Sequence, residues 1–103
     1  MSSDRLRTPE VEALLGALLA LEDADEAYAF LQDVCTIREI QDIAQRLAVA
    51  RMLASGQHYA HIQDLTGAST TTISRVSRSL NYGADGYQRI IDRIGDGTAK
   101  AGE

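Results

Sequence analysis

Eight of the ten positions from Thr70 to Ser79 carry a hydroxyl or a guanidinium: Thr70, Thr71, Thr72, Ser74, Arg75, Ser77, Arg78 and Ser79. None carries a carboxylate, and no acid occurs between Asp64 and Asp85. Hydroxyls donate and accept hydrogen bonds without a charge of their own, and arginine holds its charge at any physiological pH. Together they suit a surface that meets phosphate oxygens and the edges of bases, where short side chains let a helix lie deep in a major groove. Three consecutive β-branched threonines lower helix propensity. That local cost makes better sense if their methyl and hydroxyl groups meet thymine methyls, base edges and phosphates than if they meet only water, as on an ordinary polar surface helix. On this reading Thr70, Thr71 and Ser74 read bases, while His61, Gln63, Ser69, Thr72, Arg75 and Arg78 contact the DNA backbone.

These residues need a frame that presents them. The pattern predicts two short helices, about Tyr59 to Thr66 and Thr70 to Asn81, joined by Gly67-Ala68-Ser69, which is helix-turn-helix spacing. Gly67 permits a sharp turn, Ala68 is small enough to sit beneath it, and Ser69 caps the second helix. Ile62, Leu65, Ile73, Val76 and Leu80 are expected to form the facing apolar stripes.

Upstream, Thr8-Pro9-Glu10 is a helix start, and Val11, Leu14, Leu15, Leu18 and Leu19 form one stripe on a first helix running to about Ala20. Asp23 and Glu26 begin a short second helix ending near Asp33. Thr36 and Glu39 form a further capping box, with Cys35 placed before it as a hydrophobic staple on Ile40. The third helix continues to Leu53 and stops at Gly56, which makes it the longest element. A last helix from near Asp85 puts Tyr87, Ile90, Ile91 and Ile94 on one side and Arg89 and Arg93 on another. Residues 9–94 are therefore expected to form a single helical domain, with residues 1–8 and 95–103 as mobile ends.

At 103 residues and 45% hydrophobic content, the chain can build one core, and a partner subunit would be a natural stabiliser at this size. Five aromatic residues and no tryptophan leave the core to Leu, Ile, Val and Ala. The net charge of -5 argues at first against a nucleic-acid partner. Its distribution reverses that: residues 1–33 hold eight acids against two arginines, and residues 34–93 hold seven arginines against five acids. A single cysteine excludes an internal disulfide, and without a leader or long apolar run a cytoplasmic protein, not bound to a membrane, is expected.

Other chemistry finds little support. His58 and His61 stand three apart, but neither a second cysteine nor a converging carboxylate completes a metal site. Asp23, Asp25 and Glu26 lack a nucleophile or base at defined spacing and are explained by capping and a solvated acidic face. Gly83-Ala84-Asp85-Gly86 has neither the spacing nor the lysine of a phosphate loop. Cys35 has no nearby histidine to activate it. An enzyme is not expected.

Thr36-Ile37-Arg38-Glu39-Ile40, Gln45-Arg46-Leu47, the run from Leu65 to Arg75, and Ser79-Leu80 resemble the Trp repressor family. Leu80-Asn81-Tyr82-Gly83 and Asp85-Gly86-Tyr87 are similar to its YerC/YecD-type branch. The resemblance spans about residues 9–94 and is most specific in the helix-turn-helix stretch. It implies an all-α, six-helix fold in an intertwined homodimer, held through the N-terminal helices and the long third helix. It implies a sequence-specific regulator of transcription that binds double-stranded DNA, most simply as a repressor. It also implies an effector pocket at Arg46, Arg75, Val76 and Ser79, the two arginines standing where the tryptophan-responsive protein holds its ligand. That protein has glycine where this chain has Val76, so tryptophan is not the expected effector. No cofactor is expected, although a small-molecule corepressor of unknown identity fits the pocket. A helical protein-interaction module on the same fold, docking through the acidic first 33 residues, is the alternative.

Overall fold

A computed structural model describes residues 5–95; the terminal residues among those expected to be mobile, 1–4 and 96–103, lie outside the described residues. Six α-helices follow in order: α1 (Pro9–Ala20), α2 (Ala24–Val34), α3 (Ile37–Ala54), α4 (Tyr59–Thr66), α5 (Thr70–Tyr82) and α6 (Gly86–Ile94). No strand occurs among the described residues. None of the helices there is long and apolar enough to cross a membrane.

Local chemistry explains most of the boundaries. The Thr8 hydroxyl accepts from the Val11 amide at 3.2 Å, and Asp23 accepts from the Glu26 amide at 2.9 Å. At the start of α3 the box closes in both directions: Thr36 Oγ1 accepts from the Glu39 amide at 3.1 Å, and Glu39 Oε1 accepts from the Thr36 amide at 2.8 Å. Two otherwise orphaned donors are thereby satisfied. The other end of α3 is a Schellman stop: Gly56 takes φ +85°, its amide donates to Leu53 O, and the Gln57 amide donates to Met52 O.

The chain divides into two compact units, Met1–Ile40 and Gln41–Glu103, with the boundary inside α3. In the first, no described residue of α1 or α2 is buried. Leu14, Leu18, Leu19, Tyr28, Val34 and Ile37 are all exposed. Of the stripe foreseen on α1, Val11 and Leu15 are half-buried, whereas Leu14, Leu18 and Leu19 are left exposed among the described residues.

The second unit holds the core. Val49 and Ala50 of α3, Ile62 of α4, Ala68 of the turn, Ile73, Val76 and Leu80 of α5, and Ile91 of α6 are buried together. Met52, Leu53 and Tyr87 pack against that cluster. Leu65 departs from the expected helix-turn-helix stripes at 64% exposed, and on α6 Ile90 and Ile94 are exposed as well. In α4 the inward ridge is Ile62 and Thr66, one helical turn apart, and Leu65 sits to its side.

Candidate nucleic-acid interface

The segment from α4 to α5 is assembled from a few definite bonds. Gly67 ends α4 in the left-handed region at φ +75°, and its amide donates to Gln63 O at 2.9 Å. The Thr66 hydroxyl donates back to Ile62 O at 2.7 Å and accepts from the Ala68 amide at 3.1 Å, so a residue that is only 3% exposed keeps its N–H satisfied. Ser69 then caps α5, accepting from the Thr72 amide at 3.1 Å, with the two hydroxyls 3.2 Å apart. From α3, Gln45 Nε2 donates to Thr66 O at 3.1 Å.

With Ile73, Val76 and Leu80 turned into the core, the opposite face of α5 is left to solvent. Thr70, Thr71, Ser74, Arg75 and Arg78 are exposed there and line one open concavity of about 380 Å³. Neither Arg75 nor Arg78 is engaged in an ion pair among the described residues. An uncompensated pair of guanidiniums beside three hydroxyls, free of carboxylates, is chemically an acceptor-seeking surface. Phosphate oxygens and base edges present such acceptors.

The remaining residues named from the sequence stand differently. His61 and Gln63 are exposed on α4 and do not line that concavity. Ser69 is exposed and Thr72 half-buried; the Ser69 hydroxyl donates to Thr72 Oγ1 and accepts from the Thr72 amide, which leaves the Thr72 hydroxyl its own proton to donate. Ser77 is half-buried, its Oγ accepts from Asn81 Nδ2 at 3.4 Å, and it does not line that concavity.

A second concavity, about 350 Å³, brings Arg46 of α3 together with Thr72, Arg75, Val76 and Ser79 of α5, and with Tyr87 of α6. All four residues of the expected effector pocket thus share one surface. Val76 itself is 4% exposed and part of the core cluster. Thr72 and Tyr87 are the contributors that sequence reasoning missed as pocket residues; for Tyr87 only its place on the apolar side of the last helix signalled that it turned inward. Its arrival depends on the α5–α6 turn, where a Cβ on Gly83 would stand 2.4 Å from Ser79 O. Beyond Tyr87 the surface becomes apolar, with Ile43, Leu47 and Ile90 lining an adjoining concavity of about 540 Å³. No group of His, Cys, Asp or Glu residues that could hold a metal ion occurs among the described residues.

The sequence and the helical fold correspond to a known group. The profile of the Trp repressor protein family matches residues 9–95. The chain is 53% identical over 94 residues to YerC, an uncharacterised protein of Bacillus subtilis strain 168, covering 91% of this chain and 90% of that one. It is similar to the crystal structure of a TrpR-like protein from Eubacterium eligens, with a TM-score of 0.84 and 57% identity over 87% of this chain and 93% of that chain. It is also similar to a candidate Trp repressor from Staphylococcus aureus, with a TM-score of 0.85 and 48% identity over 91% and 94% of the two chains. The chain belongs to the Trp repressor family.

Proposed function

We propose that this chain is a cytoplasmic, homodimeric regulator of transcription, acting as a repressor, that binds double-stranded DNA in a sequence-specific way through a helix-turn-helix formed by α4 and α5. The carrying observation is the face of α5: Thr70, Thr71, Ser74, Arg75 and Arg78 exposed along one concavity, with no carboxylate among them. The family supports the class, and the chemistry of this face supports the ligand. The hydroxyls read bases, while Arg75 and Arg78, helped by His61, Gln63, Ser69 and Thr72, hold the phosphates and fix register.

Dimerisation rests on the uncovered leucines of α1 together with Tyr28, Val34 and Ile37, since apolar side chains in such number are stable in water only when a partner buries them. Two reading heads then enter successive major grooves about 34 Å apart on a palindromic site. Tryptophan is not the proposed effector, a reading supported by Val76, a core side chain that stands where the tryptophan-responsive protein has glycine. Any corepressor taken by Arg46, Arg75 and Ser79 would be a smaller anion.

Selection of bound duplexes from a random pool tests the reading. The expected result is a two-fold symmetric site with half-sites one helical turn apart. Recovery of no preferred sequence would contradict it. If the chain also failed to bind DNA at low salt, the exposed, acidic α1–α2 unit would make protein docking the better account.

A further inference from the structure

We propose that Gln45 is a positioning residue for DNA recognition: its side-chain amide fixes the angle at which α4 and α5 leave α3, and so places Thr70, Thr71 and Ser74 against base edges. The proposal rests on the DNA-binding reading above. Gln45 is half-buried on α3, and its Nε2 donates at 3.1 Å to the carbonyl of Thr66, 21 residues away in sequence. That carbonyl belongs to the last residue of α4. It therefore has no partner within its own helix and is open to a donor from outside.

Thr66 is also where the turn is knotted. Its hydroxyl bonds backward to Ile62 O and takes the amide of Ala68. One residue further on, Ser69 caps α5. Gln45, Thr66, Ala68 and Ser69 thus form a continuous polar path from α3 to Thr70, the first base-reading position. Beneath this path the packing of Ile62, Ala68 and Ile73 is wholly apolar. Apolar burial holds surfaces together without fixing their direction, whereas a hydrogen bond does fix it. The core keeps the head folded, and the glutamine amide keeps it aimed.

Aim matters unequally to the contacts on α5. Arginine side chains are long and can follow a phosphate through a small rotation. Threonine and serine hydroxyls are too short to do so. Loss of the Gln45 donor should accordingly erode discrimination between sequences while leaving general affinity for DNA intact.

The test uses the full chain and Gln45→Met, which keeps the length of the side chain and removes the donor. Affinity is measured on the selected site and on random duplex across a range of salt, with amide exchange followed by NMR in the free protein. The expected result is a fall of about tenfold in the ratio of selected-site to random affinity, with random affinity and salt slope unchanged. Exchange at Gly67 and Ala68 should rise about tenfold, with that at Val49 and Ile73 unchanged. An unchanged ratio alongside a native chain that discriminates would overturn the proposal. So would an equal loss on both duplexes with faster exchange at Val49 and Ile73, which would mark Gln45 as a general stabiliser. A native chain without sequence preference is a different failure, that of the DNA reading itself.

Discussion

On the proposed reading hydroxyls and guanidiniums divide the work on α5, and single substitutions separate them. Thr71→Ala removes a base-reading group and should weaken binding to the selected site by about 1–3 kcal/mol, with little change on random DNA. Arg78→Ala removes a positive charge from the phosphate-binding set and should weaken both alike, while reducing the slope of log affinity against log salt by about one. Titrations of the two variants on both duplexes check this, and identical behaviour would remove the assignment of roles. Thr66 carries a structural duty that the same scale makes visible. Thr66→Val keeps the shape of the side chain but strands the buried Ala68 amide, at a cost of about 1–3 kcal/mol in chemical denaturation, and Thr66→Ser should recover most of it. At the effector pocket, about 1 mM tryptophan should leave the melting temperature and operator affinity where they are, and a rise in either would show that Val76 admits the indole.

Among the elements, the termini of helices were the most legible in the sequence, because caps are set by neighbours a few residues away. Thr8, Asp23, Thr36 and Ser69 all cap as their spacing predicts. Positions that depend on what packs where were harder to read. Leu65 has the right composition for the core but lies beside the Ile62–Thr66 ridge, and one residue of helical phase is enough to expose it. Tyr87 reaches the Arg46–Arg75 surface only because of a turn, and the Gln45–Thr66 bond spans 21 residues with no local pattern to announce it. The turn before α6 places Asp85 at φ +73° and brings Gly83 against Ser79 O. Gly83→Ala would drive a methyl into backbone that cannot step aside, so α5 and α6 must shift. A loss of about 1–3 kcal/mol in thermal unfolding is expected, and an unaffected melting temperature would show that the turn relaxes freely.

For the whole molecule, charge and burial are unevenly distributed, and the proposed function follows that division. Eight of the acids lie in residues 1–33, and Leu14, Leu18 and Leu19 of α1 with Tyr28 and Val34 of α2 are exposed, while the acid-free face lies on α5. Replacing Leu14 and Leu18 together by Lys should convert a dimer to a monomer in analytical ultracentrifugation, with a lower melting temperature and weakened DNA binding, because both leucines are exposed in the single chain. A variant that stayed dimeric would place the interface elsewhere. Family membership and the α5 surface together make DNA recognition the central claim, and titration of the native chain against the selected duplex and a scrambled one, between about 50 and 200 mM salt, tests it most directly. Two chains should bind each duplex, with preference for the selected sequence and an affinity that falls steeply as salt rises. Absence of binding to either duplex at the lowest salt would contradict the claim.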